Sequence, residues 1–321
     1  MKKTINIFSV AAFIVFSSAI AQTTEAEKQL RTVNNDTVLG WKKGGVINLG
    51  ISQTSLTNWA AGGQNSIAAN GLLSLFANRT MKKALWENSL DLGYGILKQG
   101  QSGNWMKTDD KIDFMSKLGR KISNKWYFAG LLNFKTQMTA GYNYPNDSVK
   151  ISNFLAPGYL LGALGFEYKP DGNFQVFIAP VTAKVTFVND QTLANAGAFG
   201  VDKAVYDVSG TVVTPGKNVR TEFGGYLRLF YQKEIIQNVS LQTKLDLFSN
   251  YLNNPGNIDV NWEVLVSMKV NKFISATIGT QLIYDDDILI GVDTNNDGTV
   301  DVMGPRVQFK EVLTAGLTYK F

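Results

Sequence analysis

The stretch Pro305-Arg-Val-Gln-Phe-Lys-Glu-Val-Leu-Thr-Ala-Gly-Leu-Thr-Tyr-Lys-Phe321 decides the fold. In an extended chain, successive side chains point to opposite faces. Here Val307, Phe309, Leu313, Ala315, Leu317, Tyr319 and Phe321 share one face. Arg306, Gln308, Lys310, Thr314, Gly316, Thr318 and Lys320 share the other. One face is greasy and aromatic while its opposite is charged. A charged face cannot pack against a second sheet, but it can line a hydrated or ion-paired interior.

The same alternation recurs upstream. Trp86, Leu90, Leu92, Tyr94 and Ile96 oppose Glu87, Asp91 and their small neighbours. Val260, Trp262, Val264, Val266 and Met268 oppose Asn261, Glu263, Ser267 and Lys269. The pattern predicts twelve strands, at 45–54, 66–78, 84–97, 108–120, 125–139, 156–169, 173–187, 219–233, 238–250, 258–270, 272–285 and 305–321. The first is short, and 173–187 contains Pro180, which a central strand disfavours. Between the strands, short connections (79–83, 121–124, 170–172, 234–237, 271) alternate with long ones (55–65, 98–107, 140–155, 188–218, 251–257, 286–304). That alternation, an even strand count and an apolar outer face are the marks of a closed antiparallel transmembrane β-barrel. Short turns then face the periplasm and long loops face outward. Trp86, Trp126 and Trp262 lie near strand ends, where an aromatic girdle sits at the headgroups.

The N-terminus agrees. Lys2 and Lys3, an apolar run from Ile5 to Phe16 and Ala19-Ile20-Ala21 read as a signal peptide over 1–21. No Cys follows, so anchoring through an N-terminal lipidated Cys is excluded. Residues 22–44 are polar with mixed charge and read as a periplasmic arm; the barrel is expected over 45–321. After the signal no stretch is apolar enough for a transmembrane helix. The chain has no Cys and no His. Disulfides, thiolate chemistry, His general bases and nearly all zinc catalysis are thereby removed, and no enzyme is expected. Removing Lys2 and Lys3 from the 31 basic residues leaves 29 against 26 acidic ones, a mild +3. It forms no block that would suggest nucleic acid.

Several motifs look familiar. Trp59-Ala-Ala-Gly62-Gly63-Gln-Asn-Ser66, Gly40-Trp41-Lys-Lys-Gly44-Gly45, Lys107-Thr-Asp109-Asp110-Lys111, Lys135-Thr-Gln137, Tyr284-Asp285-Asp286-Asp287 and Gln308-Phe-Lys310-Glu311 recur in order. Together they resemble the Domain of Unknown Function 3078 family, which is common in the Bacteroidota. The resemblance spans about residues 40–321 and implies an envelope or outer-membrane protein without an assigned activity. Thr314-x-Gly316-x-x-Tyr319-x-Phe321 in turn resembles the carboxyl-terminal signal read by the outer-membrane barrel assembly machinery. Outer-membrane lipid, that machinery and other envelope proteins are the expected partners.

Strand parity sends a set of charges into the lumen. From the first half of the chain these are Glu87, Asp91, Lys111, Asp113, Lys117, Lys135 and Glu167. From the second half they are Glu222, Arg228, Lys244, Asp246, Glu263, Lys269, Arg306 and Lys310. In one reading they line a hydrated pore for small polar solutes. In the other they pair across a narrow barrel and seal it, leaving a scaffold or a subunit of an outer-membrane assembly. Twelve strands lie between barrels filled by side chains and open porins, so strand number leaves both open. A pore requires unpaired, hydrated charges; a scaffold requires closed ion-pair networks and apolar loop surface.

Three loops stand out. The 31-residue loop 188–218 carries an apolar run from Leu193 to Val201 and reads as a plug, a cap or plain surface. In 286–304, Asp293, Asn295, Asp297 and Asp301 match the early ligand positions of a calcium loop, with Gly298 at the sharp turn. Gly304 stands where the bidentate Glu belongs, and Asp285, Asp286 and Asp287 are the available substitutes. Calcium is therefore the one cofactor the sequence suggests, and an Asn-Asp-Gly turn is the alternative. Trp59 beside Gly62-Gly63 reads as a stacking platform or an interface anchor. Gly130, Gly162 and Gly165 ease curvature or make room for neighbours.

Overall fold

The computed structural model describes residues 38–57, 64–100, 103–144, 146–269, 271, 274–292 and 301–320. The signal peptide, most of the arm, Trp59, Asp293, Asn295, Asp297 and Phe321 lie outside the described residues.

Five long strands open the chain: β1 (Gly40–Thr54), β2 (Ser66–Met81), β3 (Ala84–Gln99), β4 (Trp105–Lys121) and β5 (Trp126–Thr136). A small hairpin follows, β6 (Gly141–Tyr142) with β7 (Lys150–Ser152). Then come β8 (Gly158–Tyr168), β9 (Phe174–Phe187), a helical turn α1 (Gln191–Asn195) and a second hairpin, β10 (Val205–Tyr206) with β11 (Val212–Thr214). The chain returns through β12 (Val219–Ile236), β13 (Val239–Asn250), β14 (Ile258–Lys269) and β15 (Ile274–Tyr284). A third hairpin, β16 (Leu289–Val292) with β17 (Val302–Pro305), precedes β18 (Gln308–Lys320).

The twelve long strands close a barrel, each antiparallel to its chain neighbour, with β18 pairing β1 through Val46↔Lys320 to Leu49↔Leu317. Closure satisfies every edge, as a lipid surroundings require. All twelve predicted strands are present. Several boundaries shift by a few residues, and two of the shifts have a plain local reason. β1 begins at Gly40 rather than 45, because Gly40 to Gly44 pair with Thr80 to Phe76 of β2. β18 begins at Gln308 rather than 305, because Val302–Pro305 is taken up by the hairpin with Leu289–Val292.

The walls alternate as the sequence implies. In β5, Trp126, Phe128 and Leu132 are exposed while Tyr127, Ala129, Leu131 and Asn133 are buried. Leu49, Ile51, Leu118, Leu164, Phe166, Leu313 and Leu317 extend the apolar outer face around the barrel. At the short-turn end, Trp41 packs on Trp86 at 5.5 Å and Trp126 on Tyr168 at 4.8 Å. The indole N–H groups of Trp86 and Trp262 donate to Ser116 and Thr243 hydroxyls, at 3.0 and 2.8 Å. These are aromatic rings with an apolar body and a satisfied polar edge, as an interface belt needs.

At Pro180 a strand changes face. In β9 Gln175, Phe177 and Ala179 are buried, but beyond Pro180 the buried residues are Thr182 and Thr186. The register shifts there against both neighbours, between Leu164 and Phe166 and between Gly224 and Tyr226. Proline lacks the ladder N–H and is tolerated at a bulge. Gly165 sits opposite, where an added Cβ would fall 2.0 Å from the Ile178 carbonyl oxygen. Only glycine permits that approach.

Candidate functional site

The lumen holds the charged residues, arranged in layers along the barrel. Nearest the short turns, four side chains alternate in sign. Lys117 reaches Glu87 at 3.0 Å and also pairs with Glu167. Lys169 reaches Glu87 at 2.9 Å and Glu167 at 3.2 Å. Gln175 donates to Glu167 at 2.6 Å, and the Lys169 ammonium lies 5.5 Å from the Tyr127 ring. The set is electrically neutral and nearly free of solvent: both lysine side chains and Glu167 are at most 4% exposed. Buried charges persist only when paired this completely.

A second layer sits deeper. Arg228 grips Asp246 with two bonds of 2.6 and 3.0 Å, and the Tyr226 hydroxyl donates to the same carboxylate at 2.7 Å. Lys244 pairs with Glu263 at 2.7 Å. Asp113 lies 3.8 Å from both Lys111 and Lys135 and accepts from Asn133 at 2.7 Å. On the β5, β8, β9, β12 and β13 side the lumen is filled by apolar groups, with Phe177, Tyr226 and Phe248 packed over Ala129, Ala163 and Ala179.

The third layer closes the long-loop end. Lys184 bridges Asp259, Asp285 and Glu222 at 2.6, 3.4 and 3.5 Å. Arg220 joins Glu222 at 2.9 Å and pairs with Asp287. Lys310 meets Asp109 at 2.5 Å. Above this layer the 188–218 loop is folded. Leu193, Ala194 and Val201 bury against Ala156 and Val188. Asp190 caps α1, accepting from the Thr192 and Leu193 amides, and pairs with Lys150 at 2.6 Å. These bonds to the ionised form hold the Asp190 carboxyl below its ordinary range and raise Lys150.

Of the predicted lumen residues, Glu87, Asp113, Lys117, Glu222, Arg228, Lys244, Asp246 and Glu263 are thus gathered into ion pairs with Lys111, Lys135 and Lys310 beside them. Asp91 lines a central cavity of about 120 Å³ together with Glu87, Asp113, Lys117, Arg228 and Lys244. Lys269 ends β14. Arg306 is a correction: it lies between β17 and β18, exposed, and donates to the Pro305 carbonyl at 3.0 Å. Asp285 and Asp287, the substitute calcium ligands, are instead directed at Lys184 and Arg220, while Asp286 accepts from Asn257 and Tyr284. Among the described residues no group of three His, Cys, Asp or Glu is arranged to hold a metal; the calcium spacing itself lies largely outside them.

Sequence reasoning missed Lys169, Lys184, Arg220 and Asp259. Lys169 and Arg220 share parity with Glu167 and Glu222 and were legible by that rule. Lys184 was hidden by the bulge at Pro180, which turns it inward against simple parity.

One seam in the wall is unusual. Between β2 and β3 the ladder skips Ala77 with Asn88 and Asn78 with Glu87. Two amide side chains fill the gap. The Asn88 N–H donates to Asn78 Oδ1 at 3.1 Å, and Asn88 Nδ2 donates to the Ala77 carbonyl at 2.8 Å.

A closed antiparallel barrel with an apolar, aromatic-belted exterior and a charged interior defines an outer-membrane β-barrel protein. Residues 51–142 match the family described as "Protein of unknown function (DUF3078)", the family whose motifs the sequence resembles. No curated protein matches. Among solved structures, the chain is similar to the COG4313 outer membrane channel from Pseudomonas putida F1, at 11% identity and a TM-score of 0.39, over 88% of this chain and 97% of that one. It is also similar to the NanC porin, at 9% identity and 0.37, over 85% and 98%. The translocator domain of the autotransporter NalP from Neisseria meningitidis matches at 8% identity and 0.34, over 93% of each chain.

Proposed function

We propose that this outer-membrane barrel is closed to passive diffusion at rest and serves as a scaffold or subunit of an envelope assembly. The observation that carries the reading is the pairing of the lumen charges in three successive layers. Glu87 of β3 joins Lys169 after β8, and Lys184 of β9 joins Asp259 of β14, each pair linking strands three places apart in the wall, while Arg228 of β12 holds Asp246 of the adjacent β13 and reaches Met115 Sδ of β4 at 3.1 Å. An ion-conducting lumen needs charges that water and solute can reach; the quartet near the short turns, paired and at most 4% exposed at Lys117, Lys169 and Glu167, offers neither a path nor a binding step.

Support comes also from the long-loop surface. Val205, Val208, Val213, Ile151, Leu252 and Met303 are all exposed there. Apolar side chains gathered on an aqueous surface mark contact sites for other proteins. The test is liposome swelling with small sugars and amino acids. Vesicles carrying folded barrel swell no faster than empty ones if the reading holds, and solute entry at porin-like rates sinks it.

A second reading, a narrow channel for small polar solutes gated by the inner layer, is favoured by one observation. Lys169 lines a cavity at the short-turn mouth, while Glu87 and Lys117 line the central cavity. The quartet is therefore the partition between two spaces, and its parting would join them. Calcium in the 286–304 loop stays part of the proposal on spacing alone. Calorimetric titration against Asp297→Ala tests it, and equal heats from both proteins remove it.

A further inference from the structure

The short-turn mouth carries a second constellation that the closed lumen does not use. Two adjacent turns, between β2 and β3 and between β4 and β5, present Lys82, Lys83 and Lys125, and Lys121 ends β4 beside them. All four are exposed, and among the described residues none has a salt bridge. They line a concavity of about 420 Å³ whose floor is Leu85, Tyr127 and Lys169. No carboxylate lines it.

Two features make this more than a run of surface lysines. First, the turns are pinned to one another. The Lys121 N–H donates to the Lys83 carbonyl at 2.8 Å, and the Lys169 N–H donates to the Lys125 carbonyl at 2.9 Å. The backbones hold like charges side by side, where solvated loops would let them spread. Second, the carboxylates of the layer beneath are already committed. Glu87 and Glu167 each engage both Lys117 and Lys169 in the layer beneath. The rim ammonium groups are thus left with four positive charges, a fixed concave frame and no internal counter-charge. An ammonium cluster of this kind is complementary to a compact multivalent oxyanion, which accepts several charge-assisted hydrogen bonds at once.

We propose that this cup binds a phosphate-bearing anion approaching from the short-turn side of the barrel. Lys83, Lys121 and Lys125, which line the cup, contact the phosphoryl oxygens. Lys82 adds charge at the rim, and the ring of Tyr127 shapes the floor. The proposal is independent of whether the lumen conducts, because the cup lies on the near side of the quartet.

The experiment uses the refolded mature protein and two probes. Inorganic pyrophosphate is titrated calorimetrically into the barrel in zwitterionic detergent. In parallel, native mass spectrometry records how much phosphatidylglycerol the barrel retains from mixed micelles. Both are repeated with Lys83→Gln/Lys121→Gln/Lys125→Gln, with the corresponding arginine triple variant, and with Lys233→Gln, an exposed lysine near the end of β12. Saturable pyrophosphate binding that weakens about tenfold or more in the glutamine variant supports the proposal with a soluble ligand. The arginine and Lys233→Gln proteins should keep it, and added salt should weaken it. Retention of phosphatidylglycerol by the wild type but not by the glutamine variant, without pyrophosphate binding, supports the same chemistry with a lipid headgroup as its source. Should the triple variant fail to fold, Lys83→Gln and Lys125→Gln singly should each lower whichever signal is seen. Equal binding of both probes by wild-type and glutamine proteins overturns the proposal, as does no binding of either.

Discussion

Replacing Lys117 with methionine tests the inner layer most sharply. The side chain is 4% exposed and serves two carboxylates, of which Glu167 is 1% exposed and Glu87 11%. Methionine keeps much of the volume but removes the charge. Glu87 and Glu167 are then left with Lys169 alone, and the layer carries one unbalanced negative charge away from water. Breaking a buried pair by removing one partner costs about 3–5 kcal/mol. The double variant Lys117→Met/Glu167→Gln is predicted to recover most of that loss. Its Glu87–Lys169 pair is intact, and the new amide oxygen still accepts from Gln175. The assay is urea unfolding in phospholipid vesicles, followed by tryptophan fluorescence, read as a double-mutant cycle. A single-variant loss below about 1 kcal/mol, the range of a solvated surface pair, would refute the reasoning, because the quartet would then be hydrated.

Other expectations follow from single features. Asn78→Ala removes the acceptor of the Asn88 N–H within the β2–β3 seam and should cost about 1–3 kcal/mol in the same unfolding assay. Gly165→Ala drives a Cβ into the Ile178 carbonyl across the bulge, and the yield of heat-modifiable folded barrel on gels should fall sharply. The Asp190–Lys150 contact should outlast ordinary carboxylates on acidification. The folded carboxyl titrates below its unfolded value, so its contribution is complete above the ordinary aspartate range and is lost only as pH falls through the lowered one. Limited proteolysis of the 188–218 loop across acid pH reads this, and opening at or above the ordinary range would contradict it.

The barrel was legible because its determinants are periodic. Alternation depends on parity alone, and it breaks at Pro180. There a bulge inverts the faces, so Lys184, the centre of the outer layer, reads as an outward residue until the register is known. Loop-length alternation tells which end of the barrel a charge lies near, and Glu87 and Lys117 both stand close to a short turn. What parity cannot supply is who pairs with whom across the lumen. Lys169 and Glu87 are 82 positions apart, and their contact follows from barrel closure and strand order. The same holds for Lys184 with Asp285, 101 positions apart. Arg306 failed for a different reason: a local hairpin captured Val302–Pro305 and delayed β18. The basic cup was not legible because its lysines sit in turns or at a strand end, where strand periodicity gives little orientation.

Single-channel recording on the refolded mature protein in a planar bilayer tests the central claim most directly. With folded barrel verified in the membrane, the wild type should be electrically silent across moderate voltages. Discrete, reproducible openings of the wild type that change when Lys244 or Glu263 is neutralised would contradict the closed lumen and assign its lining instead.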